Sequence, residues 1–529
     1  MKSNLYLFIP YIVLFIAHTR LLIFTGIVIG YDHRKMNGLS SEGFARITAA
    51  VFLSRGYKVY VLENLVPTPF VAFATTYLNC AADIMVTASH NPKADNGYKV
   101  YWGNGSQIIP PHDSGIAASI MANLAPWQDK YDQSSVLQHS LCEDVTDRIT
   151  KAYYEKLMSL CTRKDDNRTS SLRTIYTAMH GVGTPWIEKA FDIFNHNSPI
   201  LVSEQCKPDS EFPTVSFPNP EEKGALDLAI ENATSSGINL IIASDPDADR
   251  LAVAELQPDT NKWHVFSGNE IGTLLGSWSI ENYGKGGGRK AVLASIVSSR
   301  MLKAIAEGNG VEYYDTLTGF KWLGNRALEL RANGVDVLFA YEEALGYSVG
   351  DVVSDKDGIA AASVFVEMAS SLNQNLTTVY AHLQSLYQKY GEFVSLNSYV
   401  ICHDPAVITS IFNRLRTEGP NGGYWKTAGG GITIVSIKDV TKGYDSKAIP
   451  GSTPSIPATP ESEMIMFEFS NGCTVTLRTS GTEPKIKYYT EKRGAAGESR
   501  IDVQHSLNSF VELLVDEMLQ PEKNGLARA

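Results

Sequence analysis

One order recurs along this chain and limits its folds: a short β-branched apolar run, a polar loop, then a segment of helical periodicity. Residues 58–62, 82–86, 173–176, 240–243 and 335–339 have strand character, while 43–55 and 325–332 have helix character. Strands apolar throughout are buried on both faces, and helical crossovers between them give layered α/β sheets. The run at 21–31, ending Gly26-Ile27-Val28-Ile29-Gly30-Tyr31 before Asp32, reads as another buried strand. The polar stretch 163–171 and the segment 284–290 are expected to be exposed connections, with Gly286-Gly287-Gly288 a flexible one. Residues 444–463, rich in Ser and Pro, are expected to form a long surface loop. After about residue 400 the pattern shifts toward strands with one terminal helix, 501–518. The absence of a short-period repeat argues against solenoids and propellers, and 529 residues accommodate three or four domains.

Hydrophobic residues at 44% and charged residues at 19% exclude a disordered chain. The 46 basic and 57 acidic residues give a net charge of −11, which argues against a general nucleic-acid binder. Local Arg and Lys clusters can still hold an anion. Six cysteines without a Cys-x-x-Cys pair form neither a disulfide framework nor a zinc site, and fit a reducing compartment. Residues 5–17 are uncharged and follow Lys2 like a signal-peptide core, yet are too short to span a bilayer and lack a small-residue cleavage site. Membrane association of residues 1–20 is therefore an alternative, and a mis-joined start another.

Four segments carry chemistry. Thr87-Ala88-Ser89-His90-Asn91-Pro92-Lys93 follows the strand at 82–86, and the carboxyl ends of strands are where open α/β sheets bind ligands. Adjacent residues such as Ser89 and His90 rarely face each other, so a structural turn is the plain alternative. Asn96-Gly97-Tyr98-Lys99 follows, a tight turn and then a cation. Asp245-Pro246-Asp247-Ala248-Asp249-Arg250 offers three carboxylates at alternate positions, the hard oxygen donors that Mg2+ prefers. Arg250 at the sixth position and Leu256 at the twelfth exclude an EF-hand; a solvated acidic turn is the alternative. Tyr341-Glu342-Glu343-Ala344-Leu345-Gly346-Tyr347 could accept hydrogen bonds from sugar hydroxyls or merely start a helix. Thr318-Gly319-Phe320-Lys321-Trp322 sets a lysine among aromatics, where desolvation would lower its pKa and make it a proton shuttle. Arg478-Thr479-Ser480-Gly481-Thr482-Glu483-Pro484-Lys485 has the composition of an oxyanion cradle, and no Walker A pattern occurs.

In this order the four motifs resemble those of the α-D-phosphohexomutase superfamily, and the likeness covers roughly residues 25–520. The stretches at 93–102, 317–322 and 484–489 resemble its phosphopentomutase-type phosphoglucomutase and glucose 1,6-bisphosphate synthase branch. The resemblance implies three related mixed α/β domains and a smaller α+β C-terminal domain around one cleft. Expected boundaries are 25–165 for the phosphoserine loop, 166–272 for the metal loop, 273–395 for the sugar loop and 396–529 for the phosphate loop, after an atypical start at 1–24. Ser89 would be the phosphorylated carrier and, with Asp245, Asp247 and Asp249, a ligand of Mg2+. Glu342, Glu343 and Gly319 would meet the sugar, and Arg478, Ser480, Gly481 and Thr482 its distal phosphate. Arg250 and Lys99 would offset negative charge, and His90 and Lys321 would complete the catalytic set.

The family opens with Gly-Thr-x-Gly-x-Arg, and nothing before Asp32 matches it, so the first domain is expected to be truncated at its start. Tyr31-Asp32-His33-Arg34 matches a later family strand end, with a shortened loop after it. The implied reaction is reversible phosphoryl transfer between C1 and the terminal hydroxyl of ribose, deoxyribose or glucose phosphates. It would run through phosphoserine and a sugar bisphosphate, with glucose 1,6-bisphosphate as activator. Glucose 1,6-bisphosphate synthesis and a truncated sugar-phosphate-binding protein without turnover are the alternatives. Phosphorylated sugars place such a protein in the cytoplasm, as a monomer without nucleic-acid partners. Against that location stand the apolar start and the sequons at Asn104, Asn167, Asn232 and Asn375.

Overall fold

A computed structural model describes residues 25–125, 133, 135–283, 286–449, 456–460, 462–480, 484–495 and 497–528. Within these, the chain forms two compact units, one of residues 25–294, 309–314 and 319–383, the other of 295–308, 315–318 and 384–528.

The first unit is built on three mixed sheets. The first runs in the order Tyr98–Trp102, Ala82–Val86, Ile27–Tyr31, Val59–Val61, Cys142–Asp144, parallel except for Tyr98–Trp102. Its central strand Ile27–Tyr31 is buried at every residue, as an unbroken apolar run requires. The helix Ser41–Leu53 starts where the Ser40 side chain accepts the Gly43 N–H, and its Phe44, Ile47 and Val51 enter the core with Ile27 and Ile29. Each such side chain contributes about 1.5–3 kcal/mol on full burial. The second sheet has the order Lys262–Val265, Ala252–Gln257, Leu240–Ala243, Ile175–Thr177, Ile200–Leu201, and the third Glu312–Thr316, Arg289–Ser295, Val335–Glu342, Gly346–Val349. In each sheet one chemistry-bearing loop leaves the carboxyl end of a strand: Ala82–Val86, Leu240–Ala243 and Val335–Glu342.

The second unit is one antiparallel sheet. Phe393–Ile401, Lys485–Arg493, Cys473–Thr479, Met464–Phe469 and Ile432–Asp439 pair in succession. Helices Pro405–Thr417 and Arg500–Met518 give Ile411, Phe412, Leu415, Leu507 and Phe510 to its core. The expected single helix after residue 400 is thus corrected to two major ones. Asp404 accepts the Ala406 N–H and Pro405 stands at the first turn, a start signal that the strand-rich context obscured.

One expected loop is also corrected. Residues 163–171 include the helix Lys164–Thr169, and Asn167 is buried, donating to the Phe194 carbonyl at 2.9 Å and to Glu367 Oε2 at 3.1 Å. Charged composition masked this anchor: the buried Glu367 carboxylate also collects the N–H groups of Thr162 and Arg163. Asn167 is therefore closed to a glycan. Within 444–463, Tyr444–Asp445 pairs with Ile432–Asp439 and Ile456 is buried, while the other described residues lie outside helices and strands and are mostly exposed, as the expected surface loop requires. All six cysteines are free. Among the described residues no helix is long and apolar enough to cross a membrane, and the expectation for residues 1–20 lies outside them.

Behind the helix Thr184–Phe194, His196 is buried between the rings of Phe191 and Phe194, with Nε2 2.9 Å from the Ser363 carbonyl. Nδ1 has no partner among the described residues, and burial pulls the ring down to about 4 from its ordinary 6.5. The unfolded chain then binds a proton between pH 6.5 and 4 that the folded chain refuses, so this part of the stability is full above 6.5 and lost as pH falls. A difference of about 2 kcal/mol between pH 7.5 and 5 follows. In urea unfolding at both values, His196→Gln should shrink the wild-type difference by about that amount; an equal pH dependence in the variant would refute the assignment.

Candidate functional site

The serine loop begins where Thr87 N–H donates to the Gly97 carbonyl at 3.1 Å and Asn91 N–H to the Ala88 carbonyl at 3.0 Å. These bonds close a tight turn in which Ser89 takes φ +51°, the left-handed region, at a cost of about 1–3 kcal/mol for a residue with a Cβ. Its hydroxyl is thereby aimed across to the second sheet, donating to Asp245 Oδ2 at 3.0 Å. His90 Nδ1 lies 3.4 Å from Ser89 Oγ, so the neighbours expected to face apart do meet. Burial and then the Arg250 charge lower His90 to about 3, which leaves a neutral imidazole.

Asp245, Asp247 and Asp249 are fully buried, and one carboxylate oxygen from each lies within 4.8 Å of the others. The chain concentrates them by turning at Ala248, whose φ is +53° and whose N–H returns to the Asp245 carbonyl at 2.9 Å. Lys99 Nζ bridges Asp247 Oδ2 at 2.7 Å and Asp249 Oδ2 at 2.6 Å. Burial works against the Lys99 charge, but the two carboxylates outweigh it and hold the ammonium above its ordinary value. For Asp247 burial is likewise outweighed, by Lys99, and its pKa falls. Asp245 goes the other way: burial, then Asp247 and Asp249, push it well above the carboxylate range.

Oδ1 of Asp247 and Oδ1 of Asp249 have no hydrogen-bond partner among the described residues although both are buried. Orphaned buried carboxylate oxygens in a cluster of three mutually repelling acids are what a hard divalent cation would satisfy, so the all-oxygen donor set fits one.

Two further loops complete the surroundings. Arg250, nearly buried, lies 3.8 Å from both Asp245 and Glu221. Glu342, at the end of Val335–Glu342, is buried, which raises its pKa, and Lys356 reaches to 3.9 Å from it and 3.4 Å from Asp249. The Glu342-Glu343 loop lies so close to Gly268 that an added Cβ would stand 1.8 Å from the Glu343 carbonyl oxygen, which only glycine permits. Gly319, at φ +95°, precedes the helix Phe320–Ala332. Lys321 Nζ lies 5.6 Å over the Trp322 ring and pairs with Asp113 at 3.5 Å, with its side chain 35% exposed.

The structure thus brings together Ser89, His90, Lys99, Asp245, Asp247, Asp249, Arg250 and Glu342. Arg478 and Ser480 belong to the other unit, where Arg478 Nη1 donates to Thr318 Oγ1 at 2.7 Å and the Ser480 N–H to the Lys485 carbonyl at 2.9 Å. Gly481 and Thr482 lie outside the described residues. Sequence reasoning missed Lys356 and Thr68, whose hydroxyl donates to Asp247. For Lys356 the available signal was Ser354-Asp355-Lys356-Asp357-Gly358, charges set directly before an apolar helix that Asp357 caps.

A strained serine beside a buried acidic trio, ringed by fixed cations on adjoining α/β layers, defines the class of phosphoryl-transfer enzymes. Sequence models of the phosphoglucomutase/phosphomannomutase α/β/α domains I, II and III match residues 16–126, 151–257 and 267–390. The Homo sapiens phosphopentomutase is 44% identical over 511 residues, 95% of this chain and 83% of that one. The Homo sapiens glucose 1,6-bisphosphate synthase is 43% identical over 511 residues, 95% of this chain and 82% of that one. The crystal structure of the Paramecium pp63/parafusin phosphoglucomutase superposes with a TM-score of 0.72 at 19% identity, covering 99% of this chain and 92% of that one, and so shares the fold. The chain belongs to the phosphoglucomutase/phosphomannomutase family, in the α-D-phosphohexomutase branch that holds phosphopentomutase and glucose 1,6-bisphosphate synthase.

Proposed function

We propose that this chain interconverts aldose 1-phosphates with their terminal-hydroxyl phosphates, acting on ribose or deoxyribose 1-phosphate and on glucose 1-phosphate. The observation that carries the reading is Ser89 Oγ, held in a strained turn 3.0 Å from Asp245 in the buried trio. Phosphorylated Ser89 passes its phosphoryl group to the free hydroxyl of the sugar monophosphate: the Ser89 Oγ–P bond breaks as the new P–O bond forms, and the hydroxyl proton ends on Ser89 Oγ. The resulting bisphosphate reorients and returns its other phosphoryl group to Ser89 Oγ. At that step His90 Nδ1, neutral and 3.4 Å away, is placed to take the serine proton. Asp245, Asp247, Asp249 and the serine phosphate would hold a Mg2+ ion, which would supply charge neutralisation at the transferring group. Lys99, Arg250 and Lys356 keep their charges and balance phosphate oxygens. Glu342 and Glu343 accept sugar hydroxyls, while Gly319 and Lys321 adjoin the sugar. Arg478, Ser480, Gly481 and Thr482 grip the distal phosphate, with a sugar bisphosphate as activator.

The domains serving these roles are 25–165, 166–272, 273–395 and 396–529, and phosphorylated substrates favour the cytoplasm. The second reading, glucose 1,6-bisphosphate synthesis, is favoured by the 43% identity to that enzyme. Comparing kcat/KM for ribose 1-phosphate and glucose 1-phosphate, with Mg2+ and glucose 1,6-bisphosphate present, tests the proposal. Both should be isomerised, the pentose faster; discrimination can rest on only about 1–3 kcal/mol. Turnover only with 1,3-bisphosphoglycerate as phosphoryl donor would transfer the assignment to the synthase reading, and no isomerisation of either sugar would end it.

A further inference from the structure

Both backbone polar groups of Ser89 trace back to one buried ion pair. Asp32 closes the central strand Ile27–Tyr31, its N–H donating to the Val86 carbonyl at 3.1 Å. Its Oδ2 accepts the Thr87 hydroxyl at 2.6 Å, and Thr87 Oγ1 in turn accepts the Ser89 N–H at 2.8 Å. Its Oδ1 accepts the Ser41 hydroxyl at 2.5 Å, and Ser41 Oγ accepts from Asn96 Nδ2 at 2.9 Å, which ties down the far end of the loop.

Arg34, paired with Asp32 at 3.4 Å and 2% exposed, holds the other side. Its Nη2 donates to the carbonyls of Ser89 and of Asn91, the latter at 2.8 Å, and its Nη1 to those of Pro92 at 2.9 Å and Asp95 at 3.4 Å. Four carbonyls of one loop converge on a single guanidinium, a geometry that a planar fork provides and a lysine ammonium does not. The ring of Phe212, from the loop after Ile200–Leu201, lies 5.3 Å from the guanidinium and is itself buried. It keeps water from competing for those carbonyls.

We propose that Asp32 and Arg34, with Thr87, are positioning residues for phosphoryl transfer: they hold Ser89 in its left-handed conformation so that Oγ faces the carboxylate trio. Neither Asp32 nor Arg34 contacts Oγ, so their effect passes through the loop. This inference rests on the mutase reading for its kinetic consequence, though not for its geometric one.

The experiment compares Arg34→Lys, Thr87→Val and Thr87→Ser with wild type. Misplacing a reacting atom by about 1 Å costs on the order of 100-fold, so kcat of Arg34→Lys should fall by about that factor. KM for glucose 1-phosphate should hold within about twofold, because no residue assigned to the sugar or its distal phosphate is touched. Thr87→Val should lower kcat and Thr87→Ser restore it, which keeps the proposal testable if the Arg34 variant fails to fold. A merely structural role predicts a lower Tm with unchanged kcat per folded molecule, and that result would overturn the proposal. Crystal structures of the variants give an arm independent of turnover: Ser89 should leave the left-handed region, and its retention in both Arg34→Lys and Thr87→Val would refute the inference even if wild type showed no mutase activity. An inactive wild type would instead count against the mutase reading alone.

Discussion

Ser89→Ala should abolish sugar-phosphate isomerisation, with kcat lower by on the order of 10^4-fold or more, while the protein stays folded and keeps its three buried carboxylates. Splitting the transfer into two half-reactions requires a covalent carrier, and alanine leaves no oxygen to carry the phosphoryl group. A 10^4-fold loss is about 5 kcal/mol of transition-state stabilisation, far beyond the single hydrogen bond to Asp245 that the substitution removes. The acidic trio sits on a different sheet and keeps its contacts with Lys99 and Thr68. Steady-state kinetics with glucose 1-phosphate, and intact-mass measurement of phosphate on the protein, check it. Full turnover in the variant would eliminate the phosphoserine mechanism.

Asp247→Asn should weaken Mg2+ dependence on the order of 100-fold and depress activity at a fixed ion concentration, with partial recovery as Mg2+ is raised. The substitution removes one anionic charge from a buried set that holds the Lys99 ammonium 2.7 Å away. A hard cation depends on ligand charge, and breaking a buried pair by removing one partner costs about 3–5 kcal/mol. Magnesium titration of the activity, with calorimetric binding as a second readout, decides the matter. An unchanged Mg2+ midpoint would remove Asp247 from the metal site.

The strand-then-carboxylates pattern made the metal loop legible. The Leu240–Ala243 run and the alternate spacing of Asp245, Asp247 and Asp249 are local facts, and a buried strand that ends in three acids has few other uses. Ser89 was legible as a loop residue at a strand end and, through the family resemblance, as a phosphoryl carrier; its left-handed backbone and its meeting with His90 depend on bonds that close the turn from Gly97 and Thr87. The neighbour Trp322 does lie beside Lys321, but its ion pair with Asp113, on the helix His112–Ala122, joins distant parts of the chain and was not legible.

By itself the sequence determined the α/β layering, the placing of each chemical loop after a strand, and the donor types in those loops, since periodicity and residue chemistry act over a few residues. Only the tertiary structure decided that Lys99 bridges Asp247 and Asp249, that Lys356 reaches Asp249, and that Arg34 gathers the carbonyls of the serine loop. These contacts join residues far apart in the chain. Their geometry comes from how sheets and crossover helices stack, and their strength from burial that excludes water, neither of which a local pattern of side chains encodes.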